Sequence, residues 1–261
     1  MIKQLNLWRS FVFGNALIEM RQRYAGTGMG VLWHVIQPLG LILVFTFVFS
    51  EIMPTRGAAG RGAANFAIML SSGLLPWLAF TDATSRCTMA LVDNAHYLRK
   101  IALPEWLFVV RSGIGSAVVM LISVVLVLAA ALMAGVVPSV TWLAVPVVAI
   151  LFSSLGISIG LLLSPIHVFV RDTGQVLGLV LQFAMWLSPV IVLEASMPEG
   201  LRYLQDFNPA AWYLRSIRGA LFDGVLPSFW IWILMVAAPI VVLFLGQRFV
   251  RRVRSDVRDV I

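Results

Sequence analysis

Charge is what this chain has least of. Asp, Glu, Lys and Arg make up 12% of its 261 residues, about half the share found in soluble globular domains. With 60% hydrophobic residues and a mean hydropathy of +0.94, a water-soluble fold is excluded. Lysine occurs only at Lys3 and Lys100, and no G-x-x-x-x-G-K-[ST] run is present. The chain therefore lacks a phosphate-cradling loop of that kind, and the energy for any active transport must come from another polypeptide. The single cysteine, Cys87, rules out an internal disulfide and gives no support to a thiol redox motif or a Cys-based metal site. The three histidines, His34, His96 and His167, lie in separate segments without metal-ligand spacing, so an integral membrane enzyme finds few candidate catalytic groups.

The charge that remains is a net +7. Its basic residues sit in short segments flanking apolar runs instead of gathering on one soluble face, which points to anionic lipid headgroups and away from nucleic acid. No cleavable signal is expected, because residues 1–24 hold neither an uninterrupted apolar h-region nor a small-residue cleavage site.

The stretch RQRYAGTGMGVLWHVIQP, residues 21–38, turns a cationic arm into a membrane segment. Arg21, Arg23 and Tyr24 suit the headgroup layer, Gly26, Gly28 and Gly30 permit a sharp change of direction, and Trp33 marks the interface. Before it, Leu5, Trp8, Val12, Ala16 and Met20 step by three or four along one side. That spacing predicts an amphipathic helix lying in the interface, with a frayed cytoplasmic arm as the alternative.

Six apolar runs follow, at about 31–53, 66–80, 107–133, 142–163, 176–193 and 229–245. The first, at 1.5 Å per residue, reaches roughly 35 Å against a hydrocarbon core of about 30 Å. The second continues as TDATSRCTMALVDNAHYL without Gly or Pro, which predicts one helix protruding from the bilayer. A short basic amphipathic piece closed by Pro104 comes next. GVVPSVT reads as a tight hairpin between the third and fourth spans. Residues 194–228 are too polar to span and too apolar for a free loop, and are read as short re-entrant or interfacial helices, or alternatively as a plain extracellular loop. Almost no ionisable residue falls inside the spans, which argues against a proton- or sodium-coupled carrier. The fold class is thus all-α: a polytopic membrane protein with six transmembrane helices, an N-terminal interface helix and short re-entrant helices between the fifth and sixth spans.

Six spans place both termini on one side. Fourteen of the 19 Lys and Arg residues fall on the side of the termini, and five, Arg56, Arg61, Arg202, Arg215 and Arg218, on the other. The termini are therefore expected in the cytoplasm. Arg171-Asp172, in the turn between the fourth and fifth spans, is either a surface pair or a lipid-headgroup site. Gly156 with Gly160, and Gly174 with Gly178, allow close helix contact within a subunit or at a dimer seam.

The run at 21–38, the phrase SSGLLPWLAF, the basic LRKIALP, the FVRD turn followed by QFAMWLSPV, and NPAAWYLRSIRGALF occur in order over nearly the whole chain. Together they resemble the membrane subunits of ABC-2 type polysaccharide exporters, most of all the permeases for O-antigen and related lipid-linked glycans. The resemblance implies a single transmembrane domain over 1–261, with 1–30 as interface helix and elbow, 31–245 as the six-span bundle and 246–261 as a basic cytoplasmic tail. It implies a homodimer in the bacterial inner membrane, working with two copies of a cytoplasmic ABC ATPase. No cofactor is expected on this chain, ATP and Mg belonging to that partner. Tyr97, Leu98, Arg99, Lys100, Ile101 and Pro104 match the family's coupling helix, which docks on the ATPase; a basic segment that only fixes topology is the alternative.

Sugar C–H groups pack on ring faces, and stacking lets a polymer slide where a charged groove would hold it. Trp33, Trp77, Phe80, Phe183 and Trp186 are the candidates to line a glycan channel, against the alternative of lipid-facing belts. Arg21, Arg23, Tyr24 and Arg171 are the candidates to meet a lipid headgroup at its cytoplasmic mouth. The function expected is export of a lipid-linked polysaccharide, with a permease for small amphipathic molecules or drugs and an integral membrane glycan-modifying enzyme as alternatives. Reporter fusions are expected to place both termini in the cytoplasm, and an external signal from either would overturn the topology.

Overall fold

The computed structural model describes residues 27–48, 63–100, 104–190, 200 and 205–260, and the regular elements among them are helical throughout. A turn at Thr27 to Gly30, where Gly30 takes a positive φ of 49°, leads through one 3-10 turn, Gly30–Leu32, into α1, Trp33–Phe47. The bend expected from the glycines is thus present at Gly30. Then come α2 (Ala63–Asp93), the short α3 (Ala95–Lys100), α4 (Trp106–Met133), α5 (Ala144–Phe169), α6 (Thr173–Leu187), α7 (Pro209–Arg218), α8 (Phe229–Arg252) and α9 (Arg254–Val260). The expected interface helix at 1–24 lies outside the described residues.

Among the described residues, five helical stretches are long and apolar enough to cross a bilayer: Gly30–Phe47, Phe66–Asp93, Trp106–Met133, Val140–Phe169 and Phe229–Arg252. Of the run expected as the fifth of six spans, 176–193, the part to Leu187 lies in α6, whose 15 residues reach only roughly 22 Å, and residues 191–193 lie outside the described residues. Ser188 takes extended backbone, φ −99° and ψ 155°, ahead of Pro189, because a residue preceding proline avoids the helical region. The expected continuation of the second run as one helix is present: α2 runs unbroken to Asp93. Gly135, at φ 81°, ends α4 and opens the hairpin into the Val140–Leu143 turn and α5.

Lipid supplies no hydrophobic force to press helices together, so packing depends on close contact and satisfied polar groups. α2 and α5 form the centre, with α4 against both, α1 beside α2 and α8 beside α5. Gly156 and Gly160 bring the α5 backbone onto α2: a Cβ at Gly160 would lie 2.2 Å from the Cys87 Cβ, and one at Gly156 3.1 Å from the Phe80 carbonyl oxygen. This glycine pair therefore packs within the subunit. The pair on α6 differs, since Gly174 faces Met89 while nothing lies within 4 Å of a Cβ at Gly178. Buried hydroxyls donate back to their own helix, Ser71 to Ala67, Thr84 to Phe80 and Thr88 to Thr84, so they enter the apolar core already satisfied.

α7 has one apolar face and enters the bundle with it. Asn208 caps its N-terminus by accepting from the Ala210 N–H and donates to Ser188 Oγ at 2.7 Å, while Pro209 occupies the first turn, where its missing N–H costs nothing. The Tyr213 hydroxyl donates to the Met235 carbonyl of α8 at 2.7 Å. At the end of α7, the buried Arg218 donates to three backbone carbonyls: Met69 of α2 at 3.3 Å, Pro189 at 2.6 Å, and Val190. Gly73 makes room for that guanidinium, for a Cβ there would sit 2.3 Å from its Nη2. Gly73→Ala is expected to destabilise the protein by about 1–3 kcal/mol through overpacking, and Arg218→Met by about 1–3 kcal/mol for each carbonyl deprived of a donor. In detergent unfolding the double variant should lose less than the sum, the new methyl entering the vacated space. Strict additivity would break this assignment.

Candidate functional site

At the end of the bundle where α2 and α5 finish and α4 begins, the chain turns at Asn94 into α3. The Asn94 side-chain amide donates to the Ala90 carbonyl at 2.8 Å and its oxygen accepts from Arg111 at 3.3 Å, while its backbone carbonyl receives the N–H groups of Tyr97 and Leu98. Leu98, 4% exposed, pins the short helix into an apolar cluster with Leu91 of α2, Phe108 of α4, Val168 of α5 and Val250 of α8. Tyr97, Arg99 and Lys100 are left on the outside, and Pro104 is half-buried. Ile101 lies outside the described residues. The result is a small cationic projection bolted to four helix ends by one leucine.

The five aromatics split. Trp77 and Phe80 are buried, at 2% and 4%, inside the subunit, where Phe80 stacks on Phe152 at 4.4 Å and Phe152 on Tyr213 at 5.0 Å. Trp77 touches Phe80 at 5.5 Å. These two rings are core, because α2 is the most enclosed helix and its ring faces are already covered by other rings. Phe183 and Trp186, at 68% and 57%, stand exposed on α6, which meets the bundle through Leu177 and Leu181 alone among its buried residues. Trp33 is 37% exposed at the start of α1, whose buried residues His34, Pro38 and Ile42 form one stripe.

Arg171 and Asp172 are both exposed, and Arg171 forms no ion pair with any described residue, so the surface-pair reading has no bond behind it. Arg21, Arg23 and Tyr24 lie outside the described residues.

One polar cluster was not read from sequence. Asp82 of α2 accepts from Arg86 Nε at 2.6 Å and from Ser116 Oγ at 2.8 Å, and Ser116 lies roughly 15 Å along α4 from its first residue. Around it a cavity of about 120 Å³ is lined also by His34, Gln37 and Ser123. The Asp82–Arg86 ion pair is partly exposed, its side chains 30% and 41% accessible, and it stands in the polar continuation of the second apolar run. Its sequence signal was the i, i+4 spacing of Asp82 and Arg86. Among the described residues, no three His, Cys, Asp or Glu side chains gather as a metal site would require.

Five long apolar helices around a shared core, with a cationic projection at one end, define a multi-pass α-helical membrane protein. The family model described as ABC-2 type transporter matches residues 12–222, and the chain belongs to that family. It is similar to an O-antigen export system permease protein RfbA of Klebsiella pneumoniae, 24% identical over 221 residues that cover 84% of this chain and 82% of that one. A protein of the same printed name from Myxococcus xanthus is 24% identical over 232 residues, covering 87% and 86%.

The division between buried and exposed rings has a measurable consequence. Trp77→Ala is expected to cost about 3–5 kcal/mol of stability as a large core truncation, and Trp186→Ala less than about 0.5 kcal/mol as an exposed one. Thermal unfolding of the solubilised variants reads both, and equal losses would show that the two rings share one environment.

Proposed function

We propose that this chain is the membrane-spanning permease subunit of an ATP-driven exporter that carries a lipid-linked polysaccharide, O-antigen foremost, across the bacterial inner membrane. The observation that carries this reading is the family match over residues 12–222 together with relatives named for O-antigen export along more than four-fifths of their length. The working unit is a homodimer with two copies of a cytoplasmic ABC ATPase, which holds the ATP and Mg. Both termini are cytoplasmic, so the end carrying α3 faces the ATPase. α6 with its following turn serves as the fifth of six spans, and α7 with the Gly219–Asp223 turn as the re-entrant element on the periplasmic side.

α3 is the docking element, its exposed Tyr97, Arg99 and Lys100 meeting the partner and Leu98 anchoring it, with Ile101 and Pro104 completing the segment. The exposed rings Trp33, Phe183 and Trp186 are the channel candidates that remain, and their exposure on helices held by a single stripe supports a surface completed by a second copy. Arg21, Arg23, Tyr24 and Arg171 form the cationic rim that meets the lipid diphosphate. Efflux of small amphipathic molecules and glycan modification have no observation of their own in support.

Deleting the gene is expected to leave lipid-linked glycan accumulating on the cytoplasmic side, cured by the wild-type chain. A chain carrying Arg99→Glu and Lys100→Glu should insert normally yet fail to cure, with ATP hydrolysis uncoupled from export. Surface glycan staining and extraction of the lipid-linked pool give both readings. Normal surface glycan after deletion would overturn the proposed function, and full rescue by the charge-reversed chain would overturn the role of α3.

A further inference from the structure

Glu105 stands directly after Pro104 and directly before α4, at the N-terminal boundary of that helix. Its side chain is 4% exposed, and its carboxylate accepts from Arg254 Nε at 2.9 Å. Arg254 is the first residue of α9, 149 residues further along the chain. A carboxylate in so enclosed a place needs a positive partner, and the unsatisfied N–H groups at the start of α4 favour negative charge there as well. The two sides of the pair are unequal, since the Arg254 side chain is 49% exposed while Glu105 is enclosed. A second contact runs beside the first: Val257, 2% exposed on α9, belongs to the same apolar cluster as Leu98 of α3, Phe108 of α4, Val168 of α5 and Val250 of α8. The last helix is therefore folded back onto the root of α3, fastened among the described side chains by the Glu105–Arg254 ion pair and the buried Val257, and joined through Val253 to α8.

We propose that Glu105 and Arg254 are positioning residues that make α9 part of the route by which movement of α3 reaches the spans. The inference rests on the reading of α3 as the helix that meets the ATPase. A displacement of α3 pulls on Glu105, because only residues 101–103 and Pro104 separate them. Glu105 cannot leave its enclosed site without its counter-ion, so Arg254 follows, and with it the end of α8. Without the pair, α3 is still pinned by Leu98 and still presents Arg99 and Lys100, so docking survives while α8 no longer moves in step.

The test uses the permease co-expressed and purified with its ATPase in vesicles of inner-membrane lipid, supplied with the lipid-linked glycan extracted from the deletion strain. Arg254→Gln and Glu105→Gln are each expected to co-purify with the ATPase and hydrolyse ATP, while glycan moved per ATP falls by about fivefold or more, the span of an ordinary coupling free energy. The double variant should match the singles, as partners in one contact do, and Arg254→Lys, which keeps the charge, should recover part of the loss. Glu105→Gln keeps size and an acceptor oxygen, so a folding defect confined to the arginine variant leaves the measurement intact. Unchanged export per ATP in Arg254→Gln, while the Arg99→Glu, Lys100→Glu chain is uncoupled, overturns the role of the pair and spares that of α3. Normal coupling in the charge-reversed α3 chain overturns the reading on which the inference rests. Additive losses in the double variant would show two independent structural defects and also overturn it.

Discussion

The approach of α2 to α5 is the contact on which the remaining packing depends. Both helices are apolar enough to be content in lipid, so burial in protein gains them little by itself. Contact becomes favourable because Gly156 and Gly160 remove the side chains that would hold the backbones apart, placing Thr84 and Cys87 against bare α5 backbone. The closeness then permits the ring column of Phe80, Phe152 and Tyr213, which joins α2, α5 and α7 through stacked faces. A side chain at Gly160 would part the helices, and the column depends on their not parting. α4 and α8 lie against this pair, and α8 uses the same device, since a Cβ at Gly246 would come 3.1 Å from the Leu162 backbone nitrogen.

Where the chain stops being helical inside the bundle, donors have to be supplied by side chains, because hydrocarbon supplies none. Arg218 does this for the Pro189 and Val190 carbonyls after α6, and Trp142 and Thr141 for the Leu221 and Ala220 carbonyls of the Gly219–Asp223 turn, while Asn208 supplies an acceptor to the Ala210 N–H at the start of α7. The opposite end is organised differently. There the helix ends converge on an apolar cluster around Leu98 and Val250, with Asn94, Arg111, Glu105 and Arg254 arranged at its edge. One end is thus held by hydrogen bonds to broken backbone and the other by a hydrophobic knot under a charged cover.

Span location was legible because run length alone decides it: α4, expected over 107–133, is Trp106–Met133. The end of α6 at Leu187 is hidden in an apolar run that continues past it, and Ser188 before Pro189 carried the stop signal. Which way a ring faces was not legible. Trp77 and Phe80 sit in a phrase much like that of Phe183 and Trp186, and their burial depends on Phe152 and Tyr213, which arrive from far along the chain. Asp82 falls in 81–98, a stretch polar as a whole, so its contact across to α4 was not legible there. Its partner Ser116 belongs to a stripe of Ser112, Ser116 and Ser123 on α4, and that spacing was the sign that α4 had polar company to receive.

The buried faces also say which parts of the subunit can move. Separating α2 from α5 would forfeit the glycine contacts and the ring column at once. α1 and α6 are held by far less, a stripe of His34, Pro38 and Ile42 in one case and of Leu177 and Leu181 in the other. In a membrane, lifting such a stripe exchanges protein contacts for lipid contacts, so the roughly 1.5–3 kcal/mol that burying one large apolar side chain contributes in water is an upper bound on what each apolar side chain of the stripe would lose. The exposed rings Trp33, Phe183 and Trp186 stand on these two weakly held helices, whereas the buried Trp77 and Phe80 stand on the fixed pair. On the proposed function, the first group stands where a passage can open and close without unfolding the subunit, and the second belongs to the fixed core.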